Sequence, residues 1–135
     1  MVEHELTIRV RYAETDQMGY VYYGNYAAYF EVARVEMFRK IGMSYKAMEE
    51  LGVGMPVLEF NTKYIRPAKY DDLLKVKISI PEKPGLRIHF DYEVYNEAND
   101  LLTKASTKLV FINLESGRPT PPPLDFLDLL SPYFE

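Results

Sequence analysis

The feature that most constrains the fold is a change in the spacing of apolar residues along the chain. Between Tyr26 and Ile41, apolar side chains recur every three or four residues, which is the period of a helix with one buried face. Gly42 follows the stripe, and Asn25 precedes it, where its side chain is expected to accept the first free backbone N–H bond. The sequence therefore predicts one long helix over this segment.

Five other segments alternate apolar and polar side chains with a period of two, which is typical of half-buried strands. They cover residues 5–12, 57–66, 74–80, 87–94 and 105–111. The joints are short, so we expect the last four strands to follow one another through hairpins. Short helical turns are expected at 44–51 and 124–130. This order predicts an α+β fold in which a five-stranded curved antiparallel sheet wraps around the long helix.

Composition narrows the class of protein. The chain has 135 residues, which suits a single domain over residues 1–135. It has no Cys, so we expect no disulfides. Its net charge of −4 also disfavours electrostatic binding to nucleic acid. The first residues lack a signal-peptide pattern, and no uncharged stretch approaches the ~20 residues that span a bilayer. We therefore expect a cytoplasmic protein without a membrane span.

Residues 11–34 read RYAETDQMGYVYYGNYAAYFEVAR and carry the clearest chemical signal. Asp16 precedes a predicted helix start, Gly19 permits a sharp turn, and Gly24 leaves the backbone exposed just before the helix. A carboxylate and a helix N-terminus that face the same volume can attack a carbonyl, or activate water to attack it, while the helix holds the carbonyl oxygen. From spacing alone, Asp16 could equally be a loop aspartate that bonds its own backbone.

The sequence lacks the residues that other common catalytic motifs require. There is no nucleophile elbow, no phosphate-binding glycine loop and no pair of histidines at metal-ligand spacing, so no metal or cofactor is expected. Glu31 and Arg34 are interpreted as an exposed ion pair on the long helix. Glu14 is a second carboxylate if it shares a face with Asp16. Three basic residues are candidates to meet coenzyme A phosphates or are ordinary solvated charges: Lys63, Arg66 and Lys69.

The loop motif Y-A-E-T-D-x-M-G-x-V-Y-Y-G-N-Y, followed by Y-F-E-x-A-R, resembles the signature of the 4-hydroxybenzoyl-CoA thioesterase family. These are HotDog-fold acyl-CoA thioesterases, and the motif is also similar to the branch associated with the bacterial Tol-Pal system. The similarity extends to Tyr64, Arg66-Pro67-Ala68, Asp71-Asp72 and the closing F-x-N-L-E-S-G-R-P. It implies a homodimer or homotetramer with active sites at the subunit interface.

Carried onto this chain, the resemblance implies that Asp16 is catalytic and that the main-chain N–H of Tyr23 faces the thioester oxygen. The substrate-binding positions that it implies are Gly19, Val21, Gly24, Asn25 and Tyr26. Many members of the Tol-Pal-associated branch carry His where this chain has Tyr23, so any contribution from that His side chain is missing here. The backbone N–H is unaffected by the exchange.

The expected function is hydrolysis of an acyl-CoA or acyl-carrier-protein thioester to a carboxylic acid and a free thiol. Asp16 acts either as nucleophile or as general base in this hypothesis. One alternative is a HotDog hydratase or dehydratase, which would need a His in the loop motif. The other is a protein that binds acyl groups without catalysis.

Overall fold

The computed structural model describes residues 1–135 and contains a five-stranded sheet. In chain order the strands are β1 (Val2–Arg9), β3 (Val57–Tyr64), β4 (Leu73–Ile80), β5 (Arg87–Tyr95) and β6 (Leu101–Val110). Their order in the sheet is β1-β4-β5-β6-β3, and all neighbours are antiparallel. A two-stranded sheet pairs β2 (Val53–Gly54) with β7 (Ile112–Asn113). The prediction of an α+β fold with a five-stranded antiparallel sheet is therefore confirmed.

The chain has three helices: a long one where the long helix was predicted, and two short ones where helical turns were expected. They are α1 (Asn25–Ile41, 17 residues), α2 (Tyr45–Glu50, 6 residues) and α3 (Leu124–Leu130, 7 residues). Gly42 ends α1 with φ 119°, a left-handed conformation that suits a residue without a side chain. The Ser44 hydroxyl caps α2 by accepting the Ala47 N–H. None of the helices has the length and apolar character needed to cross a bilayer.

The core lies between α1 and one face of the sheet. Strands β4 and β5 alternate buried and more exposed residues, so every second side chain faces the helix. The helix contributes Phe30, Ala33, Met37 and Phe38, which are all at most 1% exposed. Aromatic rings pack between the helix and the sheet. For example, the ring centroids of Phe30 and Tyr92 are 4.3 Å apart.

The expected run of four hairpin-linked strands is wrong for its first strand. Hairpins connect β4 to β5 and β5 to β6, but β3 pairs with β6 at the far edge of the sheet from β1 and β4. The segment between β3 and β4 therefore crosses from one side of the sheet to the other. Turn residues identify hairpins locally, whereas the position of β3 depends on which edge the folded sheet leaves free.

Strand β3 is an edge strand whose side chains are exposed on both faces. Its residues are all exposed except Thr62, which is half-buried. Four of the exposed side chains are large and apolar, with 41–49% of their surface open: Val57, Leu58, Phe60 and Tyr64. An edge that presents apolar groups beside unpaired backbone N–H and C=O groups is suited to pair with another strand.

Candidate active site

The Asp16 loop is a compact turn closed by its own backbone. The Asp16 N–H donates to the Tyr20 carbonyl at 2.7 Å, and the Gly19 N–H donates to the Asp16 carbonyl at 3.0 Å. Gly19 has φ 78°, a conformation that side chains disfavour, so glycine fits this turn. The predicted turn at Gly19 is thus present.

The Asp16 carboxylate is half-buried, and only one of its oxygens is engaged. Oδ1 accepts the N–H groups of Met18 at 2.9 Å and Tyr20 at 3.2 Å. This is the local bonding expected of a loop aspartate. Oδ2 has no hydrogen-bond partner in the chain, so the same residue can orient the loop with one oxygen and present the other.

The start of α1 differs from the prediction at Asn25. Gly24 is the N-cap, and Asn25 is the first helical residue, with no side-chain cap. The Asn25 Nδ2 group instead donates to the Glu14 carbonyl at 2.7 Å. Asn25 therefore ties the helix to the Asp16 loop instead of accepting a helix N–H bond, because the loop carbonyl lies within its reach.

Two backbone N–H groups at this helix start are free. The N–H groups of Tyr23 and Gly24 donate to no acceptor in the chain, whereas Asn25 N–H donates to the Tyr22 carbonyl at 2.9 Å. Both residues are exposed. Free N–H groups at the positive end of a helix of 17 residues favour a bound oxygen that carries negative charge.

Glu14 links the loop to α1, a role that the sequence analysis missed. Its carboxylate accepts the Arg11 N–H at 2.9 Å, Arg11 Nη2 at 3.1 Å and the Tyr29 hydroxyl at 3.1 Å. Burial opposes ionisation, but these bonds outweigh it and lower the pKa of Glu14. Burial and the Glu14 carboxylate together raise the pKa of Tyr29, so its hydroxyl remains a donor. With all these partners, Glu14 is a positioning residue; no pattern in the sequence signalled the contact with Tyr29.

Two of the expected substrate-binding residues are poorly accessible in the single chain. Val21 is 6% exposed and Tyr26 is 2% exposed. Val21 N–H donates to the Ala68 carbonyl, and the Tyr26 ring packs 5.3 Å from the ring of Tyr64. Through these contacts, both residues stabilise the loop and the start of α1.

The expected exposed ion pair between Glu31 and Arg34 is wrong. Arg34 is 7% exposed and bonds to the hydroxyls of Tyr45 and Tyr92, while Glu31 is exposed. Spacing along a helix brings two side chains near each other but does not say which faces the core. Of the three basic candidates, Arg66 lies 3.5 Å from Asp100, and Lys63 and Lys69 are exposed.

Two cavities lie away from Asp16. An open groove of about 790 Å³ crosses β1, β4, β5 and β6 and is lined largely by charged side chains. A second cavity of about 50 Å³ lies between α1 and β3. Neither is lined by Asp16, Tyr23 or Gly24. Asp16 is half-buried and Tyr23 and Gly24 are exposed, so the single chain holds these groups close to its surface.

Comparison with known proteins places this arrangement in a family. Residues 10–130 match the model of the thioesterase-like superfamily. The YneP protein of Bacillus subtilis is 38% identical over 112 residues, which cover 83% of this chain and 81% of YneP. The acyl-CoA thioester hydrolase YbgC of Escherichia coli O157:H7 is 33% identical over 106 residues, which cover 78% of this chain and 79% of YbgC.

A solved structure agrees with the sequence comparison. The DHNA-CoA thioesterase of Staphylococcus aureus superposes with a TM-score of 0.86 at 38% identity, over 99% of this chain and 85% of that protein. The expected HotDog architecture is thereby supported over nearly the whole chain. The loop, the helix start and every strand except β1 lie within residues 10–130, and the chain belongs to the thioesterase-like superfamily and is a thioester hydrolase.

Proposed function

We propose that this protein hydrolyses acyl-CoA thioesters to a carboxylic acid and free CoA. The observation that carries the proposal is the pair of free N–H groups at Tyr23 and Gly24, on a helix start that Glu14 ties to the Asp16 loop. The names of two relatives agree with it: one is an acyl-CoA thioester hydrolase and the other a DHNA-CoA thioesterase.

The N–H groups of Tyr23 and Gly24 would hold the carbonyl oxygen of the thioester. Negative charge builds on this oxygen as the carbonyl carbon is attacked, and the positive end of α1 stabilises it more in the transition state than in the substrate. This contribution comes from the backbone. It is therefore the same whether position 23 carries Tyr, as here, or His, as in many proteins of the Tol-Pal-associated branch.

Asp16 would supply the attacking oxygen or activate it. In one route, Oδ2 attacks the carbonyl carbon, the thiolate leaves, and water then hydrolyses the acyl-aspartate. In the other, Asp16 takes a proton from a water molecule that attacks the same carbon directly. Both routes consume one water, break the C–S bond, and release the acid and the thiol.

The active form would be a homodimer built on the β3 edge, or a homotetramer made of two such dimers. Supporting this, the apolar β3 side chains and Tyr23, which is 65% exposed, lie on the same side of the molecule as the helix start. Pairing β3 with its copy would satisfy the unpaired strand and cover the carboxylate and the free N–H groups. Exclusion of water from the site would then strengthen the electrostatic effect of the helix start.

The experiment is a thiol-release assay over a panel of CoA esters and acyl-carrier-protein esters, from short aliphatic to aromatic. It should include DHNA-CoA, the ester named for the Staphylococcus aureus relative. Release of free thiol from the CoA esters supports the proposal. Hydration of an enoyl-CoA without thiol release would indicate a hydratase, and tight binding without turnover would indicate an acyl-binding protein; either result overturns the proposal.

A further inference from the structure

Arg34 is a buried cation without an acidic partner. It lies on α1 and is 7% exposed, yet none of the ion pairs in the chain includes it. Moving a charged group from water into the protein interior without a counterion costs free energy. A position like this is suited to a ligand oxygen that accepts hydrogen bonds from the guanidinium, such as a carboxylate, which supplies the missing negative charge, or a hydroxyl.

Two tyrosine hydroxyls hold the guanidinium in place. Arg34 Nε donates to the Tyr45 hydroxyl at 3.1 Å, and Nη1 donates to the Tyr92 hydroxyl at 2.9 Å. The Tyr92 hydroxyl also lies 2.7 Å from Thr107 Oγ1. The other terminal nitrogen, Nη2, has no hydrogen-bond partner in the chain. The arrangement fixes one side of the guanidinium and leaves donors free on the other.

The two tyrosines do not balance the charge of Arg34. Burial raises the pKa of the Tyr45 hydroxyl to about 12 and also raises the pKa of the Tyr92 hydroxyl, so both are neutral near pH 7. Burial alone would lower the pKa of Arg34, but its contacts with the tyrosine oxygens hold that pKa above the ordinary value. The guanidinium therefore keeps its charge.

Arg34 borders the cavity of about 50 Å³ between α1 and β3. The other lining residues are Ala27, Phe30, Val57, Phe60 and Thr107. Three of them are exposed, so the cavity opens to the surface beside β3, while Arg34 and Thr107 are its buried polar members. Because one water in the liquid occupies about 30 Å³, the space admits a group the size of a carboxylate or the hydroxyl end of a ring.

The cavity lies along the same helix whose start carries the free N–H groups. Ala27 is two residues beyond the first residue of α1, and Arg34 is seven residues further, or ~10 Å along the helix axis. A thioester carbonyl held at the helix start would therefore send its acyl group along this face toward the guanidinium. The lining offers apolar contact for the body of the group and donors for its end.

We propose that Arg34 binds the far end of the acyl group and selects substrates that end in an acidic oxygen, either a carboxylate or a phenolic hydroxyl. This inference rests on the proposed thioesterase function. A guanidinium presents several N–H donors in a plane, which suits such an oxygen, and a substrate that ends in a methyl group would leave the buried donors unpaired. Arg34 is then a specificity residue remote from the reacting carbon.

The test compares kcat/KM for matched pairs of CoA esters that differ only at the far end. Adipoyl-CoA is paired with hexanoyl-CoA, suberyl-CoA with octanoyl-CoA, and 4-hydroxybenzoyl-CoA with benzoyl-CoA. The wild-type protein should prefer the polar member of at least one pair by about tenfold or more, since unpaired buried donors penalise the other member. The aliphatic and aromatic pairs distinguish a carboxylate from a phenolic hydroxyl.

Substitution of Arg34 should remove this preference. In Arg34→Met the ratio within the preferred pair should fall to about one, and Arg34→Lys, which keeps a cation, should retain part of it. Arg39→Met is the matched control, since Arg39 lies on the same helix, is exposed and pairs with Glu36. Its ratio should equal that of the wild type. The ratio within a pair is insensitive to a general loss of active protein.

The outcomes separate this inference from the proposed function. Equal kcat/KM within every pair for the wild-type protein overturns the role of Arg34 and leaves thioester hydrolysis intact. A preference that persists in Arg34→Met also overturns it. If Arg34→Met does not fold, the kcat/KM ratios of the wild-type protein and of Arg34→Lys test the role of Arg34 instead. Absence of thiol release from every ester overturns the proposed function and, with it, this inference.

Discussion

The two edges of the sheet expose different surfaces. At the β1 edge the burial alternates, and the more exposed positions carry mostly charged side chains, such as Glu3, Glu5 and Arg9. At the β3 edge apolar side chains such as Leu58 and Phe60 are exposed on both faces. Charged side chains protect an edge from association, whereas apolar ones promote it. The difference suits the β3 side, and not the β1 side, to the subunit contact proposed above.

The candidate site lies on the β3 side. The first turns of α1 face β3, since the ring centroid of Tyr26 is 5.3 Å from that of Tyr64 and Phe30 is 5.9 Å from Phe60. Further along the same helix, Glu36 and Lys40 are close enough to His4 of β1 to influence its charge. One helix thus spans both regions, and its β3 side carries the free N–H groups and the cavity at Arg34.

The largest expected effect comes from the carboxylate on the β3 side. Asp16→Asn should lower kcat by about 10²–10⁴ if Asp16 either attacks the thioester carbonyl carbon or activates the water that does so. The amide oxygen can still accept the N–H groups of Met18 and Tyr20, so the circular dichroism spectrum should not change. Asp91→Asn, on an exposed position of β5, is the control and should keep full activity. Full activity in Asp16→Asn would contradict the proposed chemistry.

The packing of α1 against the sheet should dominate stability. Phe30 is fully buried and contacts Phe60 and Tyr92, so Phe30→Ala should lower the free energy of unfolding by about 3–5 kcal/mol. Urea denaturation measures this change. Val32→Ala on the exposed side of the same helix should change the free energy by less than about 0.5 kcal/mol. Similar losses in the two variants would show that Phe30 is not a core residue.

A charge at the β3 edge should separate the subunits. Leu58→Lys places like charges opposite each other when two copies of β3 pair, so sedimentation should show a shift from dimer to monomer. In the proposed dimer the second copy covers the site, so thiol release should fall by at least about tenfold. Thr7→Lys makes the same change on β1 and should leave both measurements as in the wild type. A dimer that survives Leu58→Lys would place the interface elsewhere.

The smallest expected effect is at Glu14. Replacing its bonded carboxylate in Glu14→Gln should lower the free energy of unfolding at pH 7 by about 1 kcal/mol. Its folded-state pKa is lowered from 4.5, so the carboxylate stabilises the fold above that pH and loses this contribution as the pH falls through the lowered value. Urea denaturation at pH 7 and near pH 3 should show the difference between variant and wild type shrinking with acid. The exposed Glu82→Gln should show no difference at either pH.

The local elements were largely predictable from the sequence. The stripe from Tyr26 to Ile41 and the alternation in β4 and β5 locate α1 and two strands to within a residue or so. These patterns are readable because burial on one face repeats with the period of the backbone. The start of β6 at Leu101 and the pairing of β3 were missed, because neither follows from alternation within the segment.

The candidate site was predictable only in part, for the same physical reason. Asp16, Gly19 and Gly24 stand within nine residues of each other, and the chain alone brings the turn and the helix start together. The contact of Glu14 with Tyr29 joins residues fifteen positions apart, and that of Arg34 with Tyr92 joins residues fifty-eight apart. Contacts of this range are created when α1 packs on the sheet.

The sequence by itself determined the helix, most strands and the residues of the reactive loop, since each depends on neighbours close along the chain. Only the tertiary structure decided that Asn25 and Glu14 join the loop to α1, that β3 lies at an open edge, and that Arg34 is buried without a counterion. Burial of a charge and exposure of an edge are properties of the assembled layers, because they depend on which distant segments cover each group.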